Sequence, residues 1–172
     1  QRCVACAVAV VGFDCVYVAG WHDGGSVASE VGREHALLFV QGRPAPQGSK
    51  NAFVIGKRAV MVEASKHLPA WRNDIILAVR QMFNDTQDVS KFVDPVKLKV
   101  TFYIERPKQP KHKVYPGGKP DLDHYIRAVG DALTIGGLIA DDALIVKILA
   151  EKVWCGSKTA VEPGATIELW RL

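Results

Sequence analysis

Asp121 and Asp123 stand two residues apart, and a second acidic pair, Asp141 and Asp142, follows further along the chain. In an extended segment residues i and i+2 project to the same side, so the first pair can aim two carboxylates at one point. Two such groups can share a hard cation. Magnesium is commonly held by one or two protein carboxylates together with waters and a substrate phosphate. A cation held in this way lowers the pKa of a bound water and neutralises charge on a phosphate, which is the chemistry of phosphodiester hydrolysis. Asp123, Arg127 and Asp131 recur at i, i+4 and i+8, forming a polar stripe that sets Arg127 beside the metal candidates. If a short loop folds Asp142 back towards Asp121, three or four carboxylates converge, and a divalent cation turns their repulsion into ligation. Each residue also has a plainer role open to it. Asp121 or Asp123 can cap a helix, Asp131 and Arg127 can form a solvated pair, and Asp141 and Asp142 can make a turn.

The approach to this cluster is basic. Residues 106–119 hold Arg106, Lys108, Lys111, Lys113 and Lys119 and no acidic side chain, against a net charge of only +4 for all 172 residues. Four prolines, Pro107, Pro110, Pro116 and Pro120, exclude a regular helix or a central strand there. A stiffened basic loop feeding into carboxylates suits a nuclease, in which cations hold the nucleic-acid backbone and anions hold the metal. Arg43, Lys50, Lys57, Lys111, Lys113 and Lys119 are the candidate phosphate contacts, and His112 and Tyr115 can stack on unpaired bases. The competing reading is an ordinary solvated surface loop.

The elements that must position these residues are legible from periodicity. Residues 42–50 (GRPAPQGSK) read as a loop, and residues 52–55 and 59–62 as a hairpin with Lys57 and Arg58 at its tip. Leu68, Trp71, Ile75, Ile76, Val79, Met82 and Phe83 mark a helix with Ser65 as its expected N-cap and Pro69 in its first turn. Residues 96–104 alternate apolar and polar, a strand with one buried face. Ile126, Val129 and Leu133 mark a second helix that ends near Gly136 and Gly137, and residues 145–153 and 165–169 read as closing strands. Two helices among six or more strands, with no repeating βαβ unit, predict an α+β fold: a mixed sheet flanked by two main helices in a single domain.

Composition agrees with an ordinary globular chain, at 48% hydrophobic and 23% charged residues. The apolar run over residues 3–19 is too short to span a membrane, is interrupted by Asp14, and reads as one or two strands, so no membrane partner is expected. Cys3 and Cys6 lack further zinc ligands at the usual spacing. With Cys15 and Cys155 they read as small buried thiols of a reducing compartment. Residues 1–35 are taken as an N-terminal extension of unknown role, and residues 36–172 as the functional domain.

The run P-D-L-D at residues 120–123, then Arg127, then D-A-L-T at 131–134 and G-L-I-A-D-D at 137–142, followed by a Val-rich strand, resembles the RusA family of Holliday junction resolvases. A strand followed by G-R-P-x-P-x-G at residues 42–48 is similar to the family's N-terminal segment, and the resemblance covers residues 37–172. It implies a small homodimeric endonuclease of the cytoplasm of a bacterium or phage-infected host. Such an enzyme cuts branched DNA, especially four-way junctions, with Mg²⁺ or Mn²⁺ and leaves 5′-phosphate ends. It also implies that Asp121, Asp123 and Asp142 match the family's essential acidic positions and that Arg127 stands where the family has a functional lysine. Asp131 and Asp141 follow as second-tier candidates, with Asp131 expected to orient Arg127. His124, in place of an asparagine, and the long loop over residues 106–120 are further departures. Two other readings fit parts of the pattern: a protein that binds branched DNA without cutting it, and a D-x-D enzyme acting on a metal–nucleotide-sugar complex.

Overall fold

A computed structural model of the chain describes residues 29–31, 35–48, 50–55, 58–63, 65–85, 90–155 and 162–172, with the side chains of 29–31, 50–55 and 58–63 left aside. The apolar run at residues 3–19 with Cys3, Cys6 and Cys15, the hairpin tip with Lys57, and the side chain of Lys50 lie outside the described residues.

Alternation drives the sheet. In β5 (Val96–Ile104) the apolar Val96, Leu98, Val100 and Phe102 are fully buried, while Lys97, Lys99 and Thr101 point to the other face. The same period-two pattern buries Ala36, Leu38 and Val40 of β2 (His35–Gln41) and Ala165, Ile167 and Leu169 of β7 (Gly164–Arg171). With β1 (Ser29–Val31) and β6 (Ile145–Trp154) these strands form one mixed sheet in the order β1-β2-β7-β5-β6. All neighbours are antiparallel except β5 and β6, which run parallel. β3 (Lys50–Ile55) and β4 (Arg58–Glu63) make a separate antiparallel pair, the hairpin expected from the sequence.

A parallel pair needs a crossover, and α2 (Leu122–Gly136) supplies it between β5 and β6. It packs beside α1 (Leu68–Asp85). Leu68, Trp71, Ile75, Val79 and Met82 of α1 and Ala128, Val129, Ala132 and Leu133 of α2 join the buried strand residues in one core. Among the described residues no charged or polar side chain is buried in it. The architecture is the α+β fold predicted: a mixed sheet with two main helices.

One boundary differs from expectation. α1 begins at Leu68 rather than after Ser65, whose carbonyl instead accepts from the Leu68 N–H in a turn, at 3.2 Å. Were Ser65 the N-cap, residue 69 would have to donate its N–H to the Ser65 carbonyl, and proline has none to give. Starting at Leu68 puts Pro69 in the first turn, where no donor is required. α2 ends as its glycines predict: Gly137 takes the left-handed conformation at φ 91° and its N–H caps the carbonyls of Leu133 and Thr134.

Candidate active site at the start of the crossover helix

The basic loop over residues 106–120 runs from β5 to α2 and delivers the chain to the helix through Pro120. Lys111, Lys113 and Lys119 are all exposed on it. The loop is tied down at the far end of β6, where Lys152 Nζ donates to the carbonyls of Gly118 at 3.0 Å and Pro120 at 2.8 Å. Trp154 Nε1 donates to the His112 carbonyl at 3.2 Å. These bonds settle the backbone immediately before Asp121.

Asp121 is the N-cap of α2, but its carboxylate makes no capping hydrogen bond, so its exposed oxygens remain open to another partner. Asp123 lies in the first turn, its Oδ2 at 3.4 Å from Arg127 Nη2 and 3.7 Å from His124 Nε2. Both carboxylates sit where the partial positive charge of the helix N-terminus favours anions. Four expected neighbours are thereby assembled: Asp121, Asp123, Arg127 and the end of the basic loop.

Asp142 falls elsewhere. It opens a short 3₁₀ turn (Asp142–Leu144) that leads into β6, and its Cβ packs over Gly130, where a β-carbon would lie 3.6 Å away. Gly130 is about two helical turns, or roughly 10 Å, from Asp123. The αL cap at Gly137 and the burial of Leu138 and Ile139 bring the chain back to the middle of α2 and not to its start. Asp142 shares a shallow cleft with Asp131, Thr134 and Ile135. Among the described residues no three histidine, cysteine or carboxylate side chains stand together at metal-holding distance. The carboxylates thus form two stations along one helix. Their chemistry still suits a hard cation: the oxygens of Asp121 have no partner at the cap, and Asp123 is held only at long distances.

The second-tier residues resolve differently from one another. Asp141 caps the 3₁₀ turn, accepting from the Ala143 N–H at 2.8 Å, as a turn residue should. Asp131 does not orient Arg127. Its Oδ2 takes Arg72 Nη2 of α1 at 2.5 Å, because α1 lies against that flank of α2 while Arg127 points to solvent.

Arg72 belongs to a strap that sequence reading missed. The same Nη2 donates to Gln47 Oε1 at 2.6 Å, and the Gln47 N–H donates to the His124 carbonyl at 2.8 Å. The loop at residues 42–48 is therefore pinned against the first turn of α2, with α1 as the anchor. Arg43, exposed on that loop, is close enough to pull down the phenol of Tyr125, which burial pushes up. No periodicity links residues 47, 72, 124 and 131. The only sequence signal was that Gln47 lies inside the G-R-P-x-P-x-G segment.

Open carboxylates at the start of a crossover helix, beside the mouth of a basic loop, are the groups that metal-assisted cleavage of a phosphodiester would use. Residues 42–168 match the family model described as endodeoxyribonuclease RusA, and the chain belongs to that family. Membership places it among nucleases of Holliday junctions. No curated protein matches the chain. Among the described residues, no helix is long and apolar enough to cross a membrane.

Proposed function

We propose that the chain is a Mg²⁺-dependent crossover junction endodeoxyribonuclease, with Mn²⁺ as a substitute, that resolves four-way DNA junctions by paired hydrolysis leaving 5′-phosphate ends. The observation that carries this reading is the pair Asp121 and Asp123 at the start of α2, uncapped and exposed where the basic loop ends. Asp121 and Asp123 are the residues assigned to metal at the start of α2, and Asp142, which the sequence assigns to the same metal, sits further along the helix beside Gly130. A cation held there would supply an activated water and charge neutralisation at the scissile phosphate.

The protein's own groups divide the remaining work. Arg43, Lys111, Lys113 and Lys119 hold phosphates around the site, with Lys50 and Lys57 assigned the same role from sequence. Arg127, permanently charged, stabilises negative charge that builds on the phosphate and takes no part in proton transfer. Asp131, through Arg72 and Gln47, holds the first turn of α2 in place. Residues 36–172 form the nuclease domain. The working assembly is a homodimer, whose two-fold symmetry suits symmetric nicks in a branched substrate, in the cytoplasm of a bacterium or phage-infected host.

The test is a cleavage panel of labelled four-way, three-way, flap and linear DNA, with and without Mg²⁺. Wild-type protein is expected to nick the four-way junction symmetrically, and Asp121→Asn and Asp123→Asn to lose about 100-fold or more of that rate. Normal Mg²⁺-dependent cleavage by Asp121→Asn would sink the assignment. Binding of the junction without cleavage by wild-type protein would make the chain a junction-binding protein instead.

A further inference from the structure

Lys152 is an inward-facing lysine on the edge strand β6. Its register partner on β5 is Phe102, which is fully buried, so the Lys152 stem leaves β6 on the helix side of the sheet. Phe102 in turn packs against Tyr125 in the first turn of α2, with ring centroids 5.2 Å apart. Inward lysines guard open sheet edges against pairing, and a guard needs only its charge. The Lys152 head does something more specific. The half-buried side chain carries its ammonium to two backbone carbonyls, Gly118 at 3.0 Å and Pro120 at 2.8 Å, and among the described residues it makes no ion pair.

The Pro120 carbonyl shares one planar peptide unit with the nitrogen and Cα of Asp121. A hydrogen bond to that oxygen therefore holds the plane from which the Asp121 side chain hangs. Gly118, two residues earlier, is held by the same ammonium, so the chain cannot swing about Lys119 without breaking one of the two bonds. The need for such a tie follows from Asp121 itself. An N-cap residue normally anchors its own backbone by accepting from a free N–H of the first helical turn. Asp121 makes no such bond, which leaves its carboxylate open and its backbone without a local anchor. On the other flank the His124 carbonyl takes the Gln47 N–H at 2.8 Å. Asp121 and Asp123 are thus bracketed, by β6 before them and by the loop at residues 42–48 after them.

We infer that Lys152 is a positioning residue for the metal carboxylates. By holding the carbonyls of Gly118 and Pro120 it supplies the anchoring that Asp121 gives up, and so keeps the Asp121 carboxylate both fixed and free for a cation. This rests on the metal assignment proposed above and adds to it a residue outside the acidic motif, which acts through the backbone. Charge alone would act in the opposite sense. A lysine near a cation site repels the cation, so its removal strengthens cation binding if Lys152 is only a nearby charge. A positioning role predicts weaker binding.

The experiment compares the full chain with Lys152→Met, which keeps the stem and removes the donors, and with Lys152→Arg, which keeps donors. Mn²⁺ binding without DNA is followed by electron paramagnetic resonance, and the Mg²⁺ concentration at half-maximal cleavage is read on a four-way junction, both below the melting temperature of each variant. Lys152→Met should bind Mn²⁺ about tenfold more weakly and need about tenfold more Mg²⁺, the scale of losing a group that orients a metal ligand. Lys152→Arg should recover most of both losses. Lys152→Gln, polar but too short to reach both carbonyls, should behave as Lys152→Met does, and it carries the test if the apolar side chain prevents folding. Lys147→Met, exposed on the opposite face of β6, is the charge control and should match wild type. Mn²⁺ affinity in the loss variants equal to or tighter than wild type overturns the inference. So does aggregation of those variants with metal binding intact, which would leave Lys152 as a guard of the edge. A wild type that binds Mn²⁺ and cuts, with the loss variants its equal, sinks this inference alone. A wild type that does neither sinks the catalytic reading and takes this inference with it.

Discussion

Arg127 on α2 and Asp74 on α1 show how differently two charged residues are placed. The Arg127–Asp123 pair is exposed at both ends, 64% and 58%, and its 3.4 Å contact is an i, i+4 pair on a helix surface. Such pairs contribute only about 0.3–0.5 kcal/mol, so the arginine is not there for stability. Arg127→Ala should leave the melting temperature unchanged and lower kcat on a four-way junction by about 100-fold, the scale of losing one charge-stabilising donor. Arg127→Lys should keep much of the rate, since a point charge at the same site serves the same purpose. Equal kcat for all three proteins would remove Arg127 from the machinery. Asp74 has no such use. It lies on α1 beneath Gly42, whose φ of 143° and lack of a side chain permit the approach; a Cβ there would stand 2.7 Å from Asp74 Oδ2. Burial pushes the Asp74 carboxyl above its ordinary value of 3.8. An acid with a raised folded pKa favours the native state below its unfolded pKa, and that contribution is lost as pH rises through the folded value. Asp74→Asn should therefore melt higher than wild type at pH 7, by about 1–3 °C, and the gap should close by pH 3. A gap that persists unchanged at pH 3 would assign the effect to something other than ionisation.

Elements were legible where one face had to be buried, and illegible where the partner was remote. β5 announced itself through Val96, Leu98, Val100 and Phe102, and α2 through Ile126, Val129 and Leu133 with Gly137 to stop it, because burial imposes a local period. The insertion of β7 between β2 and β5, the parallel pairing of β5 with β6, and the Arg72 bridge from Asp131 to Gln47 depend on contacts between segments far apart in sequence. No local pattern encodes them. Asp142 illustrates the boundary. Its residue type and its place before a strand were readable, but its seat depended on how far the turn after Gly137 carries the chain, and that is set by the burial of Leu138 and Ile139. Gly130 is the element-level test of that seat. A methyl group there would make ordinary contacts, 3.6 Å to Asp142 Cβ and 3.7 Å to Ile145 Cδ1. Gly130→Ala should thus gain about 0.8–1 kcal/mol of helix propensity with cleavage intact. Gly130→Leu has no such room and must displace the 3₁₀ turn, costing about 1–3 kcal/mol in stability and, with Asp142 moved, most of the activity. Thermal melts and junction cleavage on the two variants check this. Full activity in Gly130→Leu would show that the position of Asp142 does not matter to catalysis.

At the scale of the whole molecule, charge is arranged more tellingly than its total. The net charge of +4 would attract a polyanion only weakly, yet five exposed basic residues of the loop at residues 106–119 gather at the end of β6 and the start of α2. Lys99, by contrast, is spent on the open sheet face, 2.8 Å from Glu168. If the loop grips the DNA backbone, its lysines release condensed counterions on binding, and each phosphate contact steepens the plot of log affinity against log salt by about 0.9 on duplex DNA. Lys111→Gln together with Lys113→Gln should therefore flatten that slope by about 1.8 per protomer engaged. The loss of affinity should fall on linear as well as four-way DNA, because both present the same phosphate backbone. Lys99→Gln should leave the slope alone. Fluorescence anisotropy across a salt series, in the absence of divalent metal so that nothing is cut, gives the measurement. An unchanged slope in the double variant would take the loop out of the DNA interface, and the carboxylates at the start of α2 would then need another source of positive charge to bring a phosphate to them.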